Sequence, residues 1–382
     1  MRLLDVRTFE LCEFVGKPPP YAILSHTWED DEVTFQDIAN LDLARKKKGF
    51  TKIQLCCEQA LHDDYDWAWV DTCCIDKSSS AELSETINSM FKWYNEAETC
   101  YAFLSDMAPL LDEEQPRSPH QFENRGNGLR ASGPEITELA APPRYPRFMK
   151  SRWWTRGWTL QELIAPPAVE FYDRDWQHIT CKDTCKELIS AATRIDRAIL
   201  SNADYLSVFP VAERISWVAE RNTTREEDMA YCLLGLLNVN MPLLYGEGAR
   251  KAFRRLQEHV ISSREDSTLF LWDAASHPPL FTNGTILAPS PRHFSGRKVW
   301  EKWYMGSYYI GEPPQMTSRG LRVSLFIKQL TEEDKGTYER LVPHHRATFQ
   351  RMKTSPVGAH LRSGRSRVEL YAHCHLHCRL FF

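Results

Sequence analysis

Apolar strands and amphipathic helices alternate along the N-terminal part of the chain, and this alternation constrains the fold more than any other feature. Short apolar runs at 21–28, 67–76 and 100–107 predict strands. Between them, residues 50–62 carry apolar side chains at helical spacing, and the serines at 78–80 are suitable N-caps for a second helix. Strands that are apolar throughout are typical of parallel strands covered on both faces. The sequence therefore predicts an α/β fold with a parallel sheet flanked by helices.

The rest of the chain divides into parts with different patterns. Residues 108–149 have little periodicity and predict an irregular insertion, which is followed by a fourth strand at 168–176. We therefore expect residues 1–180 to form one α/β domain. Helical spacing then predicts a helical extension over 181–265, and short segments punctuated by Pro and Gly predict a small β-rich unit over 266–382.

Charge and cysteine usage exclude several classes of protein. A net charge of −4 over 382 residues gives no electrostatic basis for binding nucleic acid. No stretch reaches the roughly 18 consecutive apolar residues of a membrane helix. The N-terminal segment places acids where a signal peptide needs an apolar core, so we expect no secretion signal. The 11 cysteines then favour reduced, buried thiols and a cytoplasmic protein.

The segment 151–167, SRWWTRGWTLQELIAPP, combines three tryptophans and two arginines with one carboxylate, Glu162. Pro166 and Pro167 predict the end of a short helix that begins at Trp158, because proline lacks an amide donor. A carboxylate beside large aromatic surfaces can act on a flat or cationic ligand. Position alone equally allows Glu162 to be an ordinary solvated helix acid.

Polar side chains also follow the first two predicted strands. Ser25, His26 and Thr27 end the first strand, and Asp71 lies in the second. Ligands of parallel α/β sheets bind at the carboxyl ends of the strands, so these groups and Glu162 are predicted to share one pocket. The alternative is that Asp71 caps a helix and that His26 forms hydrogen bonds within a loop.

Other reactive patterns are weaker. Cys73 or Cys74 could act as a thiol nucleophile with His26, but nothing nearby lowers a thiol pKa, so structural thiols are the better interpretation. The His and Cys side chains of 373–378 would alternate between the two faces of a strand, so no metal site is predicted. The glycine loop 246–248 lacks a full phosphate-binding pattern and predicts a capped loop before a helix.

Long ordered blocks of this sequence resemble the fungal heterokaryon incompatibility (HET) domain. They include YAILSHTWED, WVDTCCIDKSSS and SRWWTRGWTLQELIAP, and the resemblance continues through the segment 210–290 that usually follows the domain. It implies a part in fungal allorecognition, in which HET proteins trigger programmed cell death after incompatible cells fuse. It also implies a partner incompatibility protein on another chain, since no nucleotide-binding module of the NACHT type follows.

The HET domain is in turn similar to TIR domains, which implies a TIR-like, flavodoxin-like sheet. YAILSHT corresponds to the first TIR strand, which ends in a serine. WTLQEL corresponds to the TIR block whose glutamate is essential for cleaving NAD, and that glutamate falls on Glu162. The sequence departs from the TIR pattern in two ways. Thr159 replaces the usual cysteine, and the inserted WTRG stretches the spacing.

This second resemblance implies an NAD hydrolase in which Glu162 is catalytic and NAD is the substrate, with no cofactor. Breaking the nicotinamide–ribose bond passes through an oxocarbenium-like state that one carboxylate can stabilise. Trp28 or Trp158 could stack on a ring, and Arg156 could bind phosphate. The predicted substrate-binding residues are Ser25, His26, Trp28, Asp71, Arg156 and Trp158.

Two alternatives to the NAD hydrolase remain open. TIR-type catalysis implies a homo-oligomer on activation, but the same assembly could serve a non-enzymatic adaptor. Tryptophan and arginine are enriched in interface hot spots, so the segment 151–167 fits both interpretations. The protein could also be an inactive, divergent member of the family.

Overall fold

The computed structural model describes residues 1–109, 147–263, 266–270, 272 and 287–295, together with three C-terminal strands. Most of the predicted insertion at 108–149 and much of the predicted unit at 266–382 lie outside the described residues. The His and Cys run at 373–378 is among the residues that lie outside.

A mixed sheet of seven strands forms the centre of the structure. The strands are β1 (Arg2–Asp5), β2 (Leu11–Glu13), β3 (Ala22–His26), β4 (Trp67–Trp69), β5 (Thr99–Phe103), β6 (Val169–Tyr172) and β7 (His178–Cys181). Their spatial order is β2-β1-β4-β3-β5-β6-β7. The central four strands, β4, β3, β5 and β6, pair in parallel, which confirms the predicted α/β class.

The prediction of an all-parallel sheet is wrong at both edges. β1 and β2 form an N-terminal hairpin, and β1 pairs antiparallel with β4. Phe9, at φ 59°, helps to close the hairpin turn. At the other edge, β7 pairs antiparallel with β6 after a turn that contains Trp176 at φ 58°. Antiparallel edge strands need only such tight turns, whereas parallel strands need long crossovers.

The order of the parallel strands locates the place where a ligand is expected. Along the chain they run β3, β4, β5, β6, but in space β3 lies between β4 and β5. This arrangement is the start of the flavodoxin-like order, in which the strand order switches beside the first strand. Ligands bind outside the carboxyl ends of the strands at this switch. The carboxyl end of β3 is His26.

The helices beside the sheet follow the predicted pattern. Helix α3 spans Phe50–His62. Helix α4 spans Ser80–Glu96 after the N-cap Ser79, whose hydroxyl accepts a hydrogen bond from the amide of Glu82 at 3.3 Å. The other helices of this part are α1 (Phe35–Ile38), α2 (Leu41–Ala44) and α5 (Thr159–Ile164). Helix α5 packs against β3 and α4, which brings it to the switch in strand order.

A helical segment follows the sheet within the range of the predicted extension and shares the core of the sheet, while the division into domains stays a prediction. The helices of this segment are α6 (Lys186–Thr193), α7 (Arg197–Ser201), α8 (Val211–Ser216), α9 (Asp228–Tyr231), α10 (Leu234–Leu237) and α11 (Ala249–Ser263). One contiguous apolar cluster includes side chains of both parts. A Cβ atom on Gly235 would lie 2.1 Å from Cβ of Phe91, so glycine is needed for α10 to approach α4 this closely. The two parts therefore pack as closely as neighbours within one core.

The described C-terminal strands form a second, antiparallel sheet. It consists of β8 (Gln315–Thr317), β9 (Gly320–Phe326) and β10 (Arg367–Ala372). These strands fall within the predicted β-rich unit, whose boundaries stay a prediction. Across the described segments, every helix is too short or too polar to span a lipid bilayer.

Candidate active site

A cavity of about 220 Å3 opens at the carboxyl end of β3, where the strand order switches. Its walls come from the sheet, from α4 and α5, and from the segment before and after α9. The polar and aromatic lining residues are His26, Trp28, Asp71, Lys77, Tyr94, Arg156, Trp158, Thr159, Glu162, Thr224, Arg225, Asp228 and Tyr245. The cavity therefore lies where the strand order predicts a ligand.

Glu162 is held in this cavity by a helix that is buried on every side. All residues of α5 are buried, and Glu162 is only 7% exposed. The helix follows a 3-10 turn at Arg152–Thr155 and stops before Pro166, as the sequence predicts. The alternative that Glu162 is a solvated helix acid is therefore wrong.

Among the described residues, the carboxyl of Glu162 has one hydrogen-bonding partner, the hydroxyl of Ser25 on β3, which donates to its Oε2 atom. The indole Nε1 of Trp153 donates to the same Ser25 oxygen at 2.7 Å and so orients the hydroxyl. Burial raises the pKa of Glu162 from 4.5 to about 8, although the bond from Ser25 acts in the opposite direction. The nearby charge of Asp71 raises this pKa further. The carboxyl can therefore change its charge near neutral pH.

His26 and Asp71 form a second polar cluster, in which some hydrogen-bonding atoms have no partner among the described residues. Asp71 accepts a hydrogen bond from Nε1 of Trp28 at 2.7 Å. Its other oxygen lies 3.7 Å from Nε2 of His26, beyond hydrogen-bonding distance. Neither ring nitrogen of His26 has a hydrogen-bond partner among the described residues. Burial holds the pKa of His26 well below its usual range, so the ring is neutral and offers one donor and one acceptor.

The alternatives that we considered for these two residues are wrong. The cap of α4 is Ser79 rather than Asp71. No loop hydrogen bond holds the ring of His26, which leaves its polar atoms available to a ligand.

Trp28 and Lys77 form the outer wall of the cavity. The ammonium of Lys77 lies 3.6 Å from the centre of the Trp28 ring, and the tryptophan is 44% exposed. Burial lowers the pKa of Lys77 despite the attraction of Asp71. We did not predict Lys77, which follows a strand end in the sequence and carries no motif.

The opposite wall comes from a distant part of the chain that we also did not predict. Nε1 of Trp158 donates to Asp228 at 3.2 Å, and the hydroxyl of Tyr245 donates to the other oxygen of Asp228 at 2.9 Å. Burial raises the pKa of Asp228, while these two bonds oppose the rise. The guanidinium of Arg225 lies 4.3 Å from the Tyr245 ring. This wall fixes the plane of Trp158, and no local sequence signal marks Asp228 as buried.

The loop that carries Arg156 is fastened to the same distant segment. Arg156 and Asn222 form a β-bridge, in which the amide of Gly157 donates to Asn222 at 2.8 Å and the amide of Asn222 donates to Thr155 at 2.7 Å. The buried guanidinium of Arg221 donates to the carbonyl of Arg156 at 2.9 Å. The backbone of Arg156 is therefore rigidly placed by residues well beyond α5.

The other candidate sites have structural explanations. Burial raises the pKa of the Cys73 thiol, as does its hydrogen bond with Cys74, so the structure supports structural thiols. No cluster of metal ligands occurs within the described part of the chain. In the glycine loop, the amides of Gly246 and Gly248 donate to the carboxylate of Glu227 at 2.8 and 3.0 Å. The protein's own carboxylate thus occupies this anion-binding loop.

The structure brings the predicted site residues together. Six of them line the cavity, namely His26, Trp28, Asp71, Arg156, Trp158 and Glu162. The seventh, Ser25, lies behind Glu162 and contacts its carboxyl. Their roles toward a substrate stay a prediction. The arrangement itself places one titratable carboxyl between two aromatic walls, beside a neutral imidazole and an arginine.

Comparison with known proteins connects this site to a family. Residues 21–162 match the family model described as heterokaryon incompatibility protein (HET). The vegetative incompatibility protein HET-E-1 of Podospora anserina is 44% identical over 247 residues, which make up 64% of this chain. The chain spans only 16% of the length of that relative. No solved structure matches the chain.

Proposed function

Because residues 21–162 place this chain in the HET domain family, we propose that the protein is a cytoplasmic effector of allorecognition that hydrolyses NAD at the nicotinamide–ribose bond. Glu162 is the catalytic residue, and cell death follows from loss of NAD or from a nucleotide product. One observation carries the proposal. The glutamate that the TIR resemblance singles out is buried at the switch in strand order and faces a cavity.

The carboxyl of Glu162 suits a reaction in which positive charge moves onto the sugar. In the hydrolysis, the C–N bond breaks and its electron pair neutralises the nicotinamide nitrogen, while water adds to the ribose carbon and loses a proton. An ionised Glu162 beside the sugar stabilises the oxocarbenium-like state. Because nicotinamide leaves as a neutral molecule, no general acid is needed.

The raised pKa of Glu162 links substrate binding to its ionisation. In the free protein a pKa of about 8 keeps most of the carboxyl protonated at neutral pH. A cationic nicotinamide ring in the cavity favours the charged form, since an opposite charge nearby lowers the pKa of an acid. Substrate binding at pH 7 is therefore coupled to release of a proton.

The aromatic walls and the neutral His26 have matching roles. The ring of Trp28 or Trp158 stacks on the nicotinamide ring, because a cationic ring is attracted to an indole face. The free donor and acceptor of His26 suit the ribose hydroxyls or the carboxamide of nicotinamide. Buried polar groups of this kind favour a ligand that completes their hydrogen bonds.

NAD consumption by the purified protein tests the proposal. The assay uses high protein concentration with a crowding agent, since activation is proposed to need a homo-oligomer. Nicotinamide release is compared between the wild type, Glu162→Gln and a control, Glu187→Gln, whose side chain lies exposed on α6. We expect release by the wild type and the control only.

The other outcomes lead to different conclusions. If none of the three proteins consumes NAD although all assemble, the enzymatic proposal fails and a non-enzymatic adaptor explains the family role. Equal consumption by all three would keep the chemistry but remove Glu162 from it.

A further inference from the structure

A second cavity of about 240 Å3 adjoins the first, and the two share Arg156 and Thr224. Its lining is entirely polar and consists of Thr27, Arg152, Thr155, Arg156, Asn222, Thr223 and Thr224. Within the part of the chain that the structure describes, two guanidinium groups and no carboxylate face this space. The first cavity alone is smaller than the roughly 300–1,000 Å3 typical of small-molecule sites, whereas the two together fall in that range.

The two arginines of the second cavity differ in their partners. Arg152 is already paired, because its guanidinium lies 3.0 Å from the carboxylate of Glu29 and 3.5 Å from that of Asp106. The guanidinium of Arg156 makes no hydrogen bond or ion pair with any residue that the structure describes. It is half-buried, at the junction of the cavities. Arg156 is therefore the cation available to an anionic ligand.

The surroundings of Arg156 add neutral donors. The side-chain oxygen of Asn222 accepts from Arg292 at 3.2 Å, which leaves the amide nitrogen of Asn222 as a donor. The hydroxyl of Thr224 forms no hydrogen bond with the described residues, so it too can donate to a ligand. A guanidinium with additional neutral donors and no competing carboxylate suits a phosphate group.

We propose that Arg156 binds the diphosphate of a dinucleotide at this junction, and that the second cavity receives the nucleotide half that is not cleaved. This inference rests on the proposed NAD hydrolysis, for which the first cavity holds the nicotinamide riboside half beside Glu162. The second cavity would make the protein selective for a diphosphate-bearing dinucleotide over free nicotinamide riboside. Residues 222–224 thereby become part of the substrate site, although they lie outside the matched segment 21–162.

Binding of ADP tests this inference separately from catalysis, because ADP carries the diphosphate without nicotinamide. Isothermal titration uses the full chain with Glu162→Gln, alone and combined with Arg156→Gln, Arg152→Gln or Arg197→Gln. Arg197 lies exposed on α7 and controls for the loss of one positive charge. We expect Arg156→Gln to weaken ADP binding by about 10- to 100-fold, as charge-assisted hydrogen bonds of ~1.5–3 kcal/mol imply. The Arg197 variant is expected to change it less than threefold, and the Arg152 variant less than the Arg156 variant because Arg152 is already paired.

Kinetics in the active protein give a second readout. Arg156→Gln should raise KM for NAD with a smaller change in kcat, and should lower kcat/KM for nicotinamide riboside much less than kcat/KM for NAD. Absence of ADP binding, or equal binding by all variants, overturns the inference even if NAD is consumed. If ADP binds through Arg156 but the wild type does not consume NAD, the diphosphate site stands and the proposed hydrolysis fails.

Discussion

Two glutamates in this protein have equally little exposed surface, and yet the pKa values of their carboxyls shift in opposite directions. Glu162 and Glu227 are each 7% exposed. The backbone amides of the 246–248 loop donate to Glu227 and lower its pKa. Among the described residues, Glu162 receives only the hydroxyl of Ser25, and burial raises its pKa to about 8. A small exposed area therefore does not identify a functional carboxyl. The depth at which the carboxyl itself is buried and its supply of donors together distinguish a carboxyl that stabilises the fold from one left available to a ligand.

Replacing each glutamate by glutamine should give the largest difference between the two residues, measured as the rate of NAD hydrolysis. Glu162→Gln should reduce NAD hydrolysis by at least about 100-fold, because it removes the charge that stabilises the transition state. Glu227→Gln should leave kcat within about threefold wherever the protein remains folded, since its bonds are internal. Nicotinamide release by folded protein measures both. Comparable losses in kcat would refute the division between the two residues.

The stability of Glu162→Gln should depend on pH in a characteristic way. The folded-state pKa of Glu162 is raised above 4.5, so the native protein binds more protons than the unfolded chain between about pH 4.5 and about pH 8. The wild type therefore loses stability as pH rises through this window, by up to a few kcal/mol. The variant has no such proton to lose. Its Tm advantage over the wild type, measured from pH 5 to pH 9, should grow and then level off above pH 8.

Glu227→Gln should show the opposite behaviour. It replaces charge-assisted bonds to Gly246 and Gly248 by weaker ones, so the free energy of unfolding at pH 7 should fall by about 1–3 kcal/mol. The pKa of Glu227 is lowered below 4.5, so its charge stabilises the fold above that pH and the contribution fades on acidification. Urea unfolding at pH 7 and pH 4 measures the change. A deficit that increases at low pH would contradict the assignment.

Ser25→Ala should produce a smaller change that sharpens the account of Glu162. The hydroxyl of Ser25 lowers the pKa of Glu162, so its removal should move the rising limb of the kcat/KM profile, which reports the free protein, to higher pH by about one unit. The kcat/KM at pH 7 should then fall about tenfold and recover at pH 9. A loss that is the same at every pH would indicate that Ser25 acts by positioning the Glu162 carboxyl and not through its pKa.

The sequence predicted the parts of the fold that depend on local patterns. Helix α3 has the predicted bounds, and the four parallel strands lie where apolar runs were found. The hairpin β1–β2 and strand β7 were missed because they are short edge strands whose pairing depends on turns at Phe9 and Trp176. Side-chain burial in such strands is too partial to give a strong pattern.

The candidate site was predicted only on one side of the cavity. The residues that end β3 or lie near α5 were identified by strand order and by family resemblance. Asp228 and Tyr245 of the opposite wall, and Arg221 behind the Arg156 loop, approach only through tertiary packing, in which α10 contacts α4 and α11 contacts α9. Glu227 binds the amides of a loop nineteen residues further along the chain. The spacing of residues along the sequence does not predict contacts between residues so far apart in the chain.

The bridge between Arg156 and Asn222 has a consequence for how such domains can be inherited. A gene fragment that encodes only residues 21–162 would carry Glu162 and Ser25 without Asn222, which bridges to Arg156, or the wall that orients Trp158. Recombination that joined this fragment to an unrelated sequence would transfer the fold's central strands but leave the site open. The 247-residue similarity to HET-E-1 is longer than the matched family segment. The heritable unit is thus expected to extend beyond residue 162, and exchange between genes should preserve both pieces together.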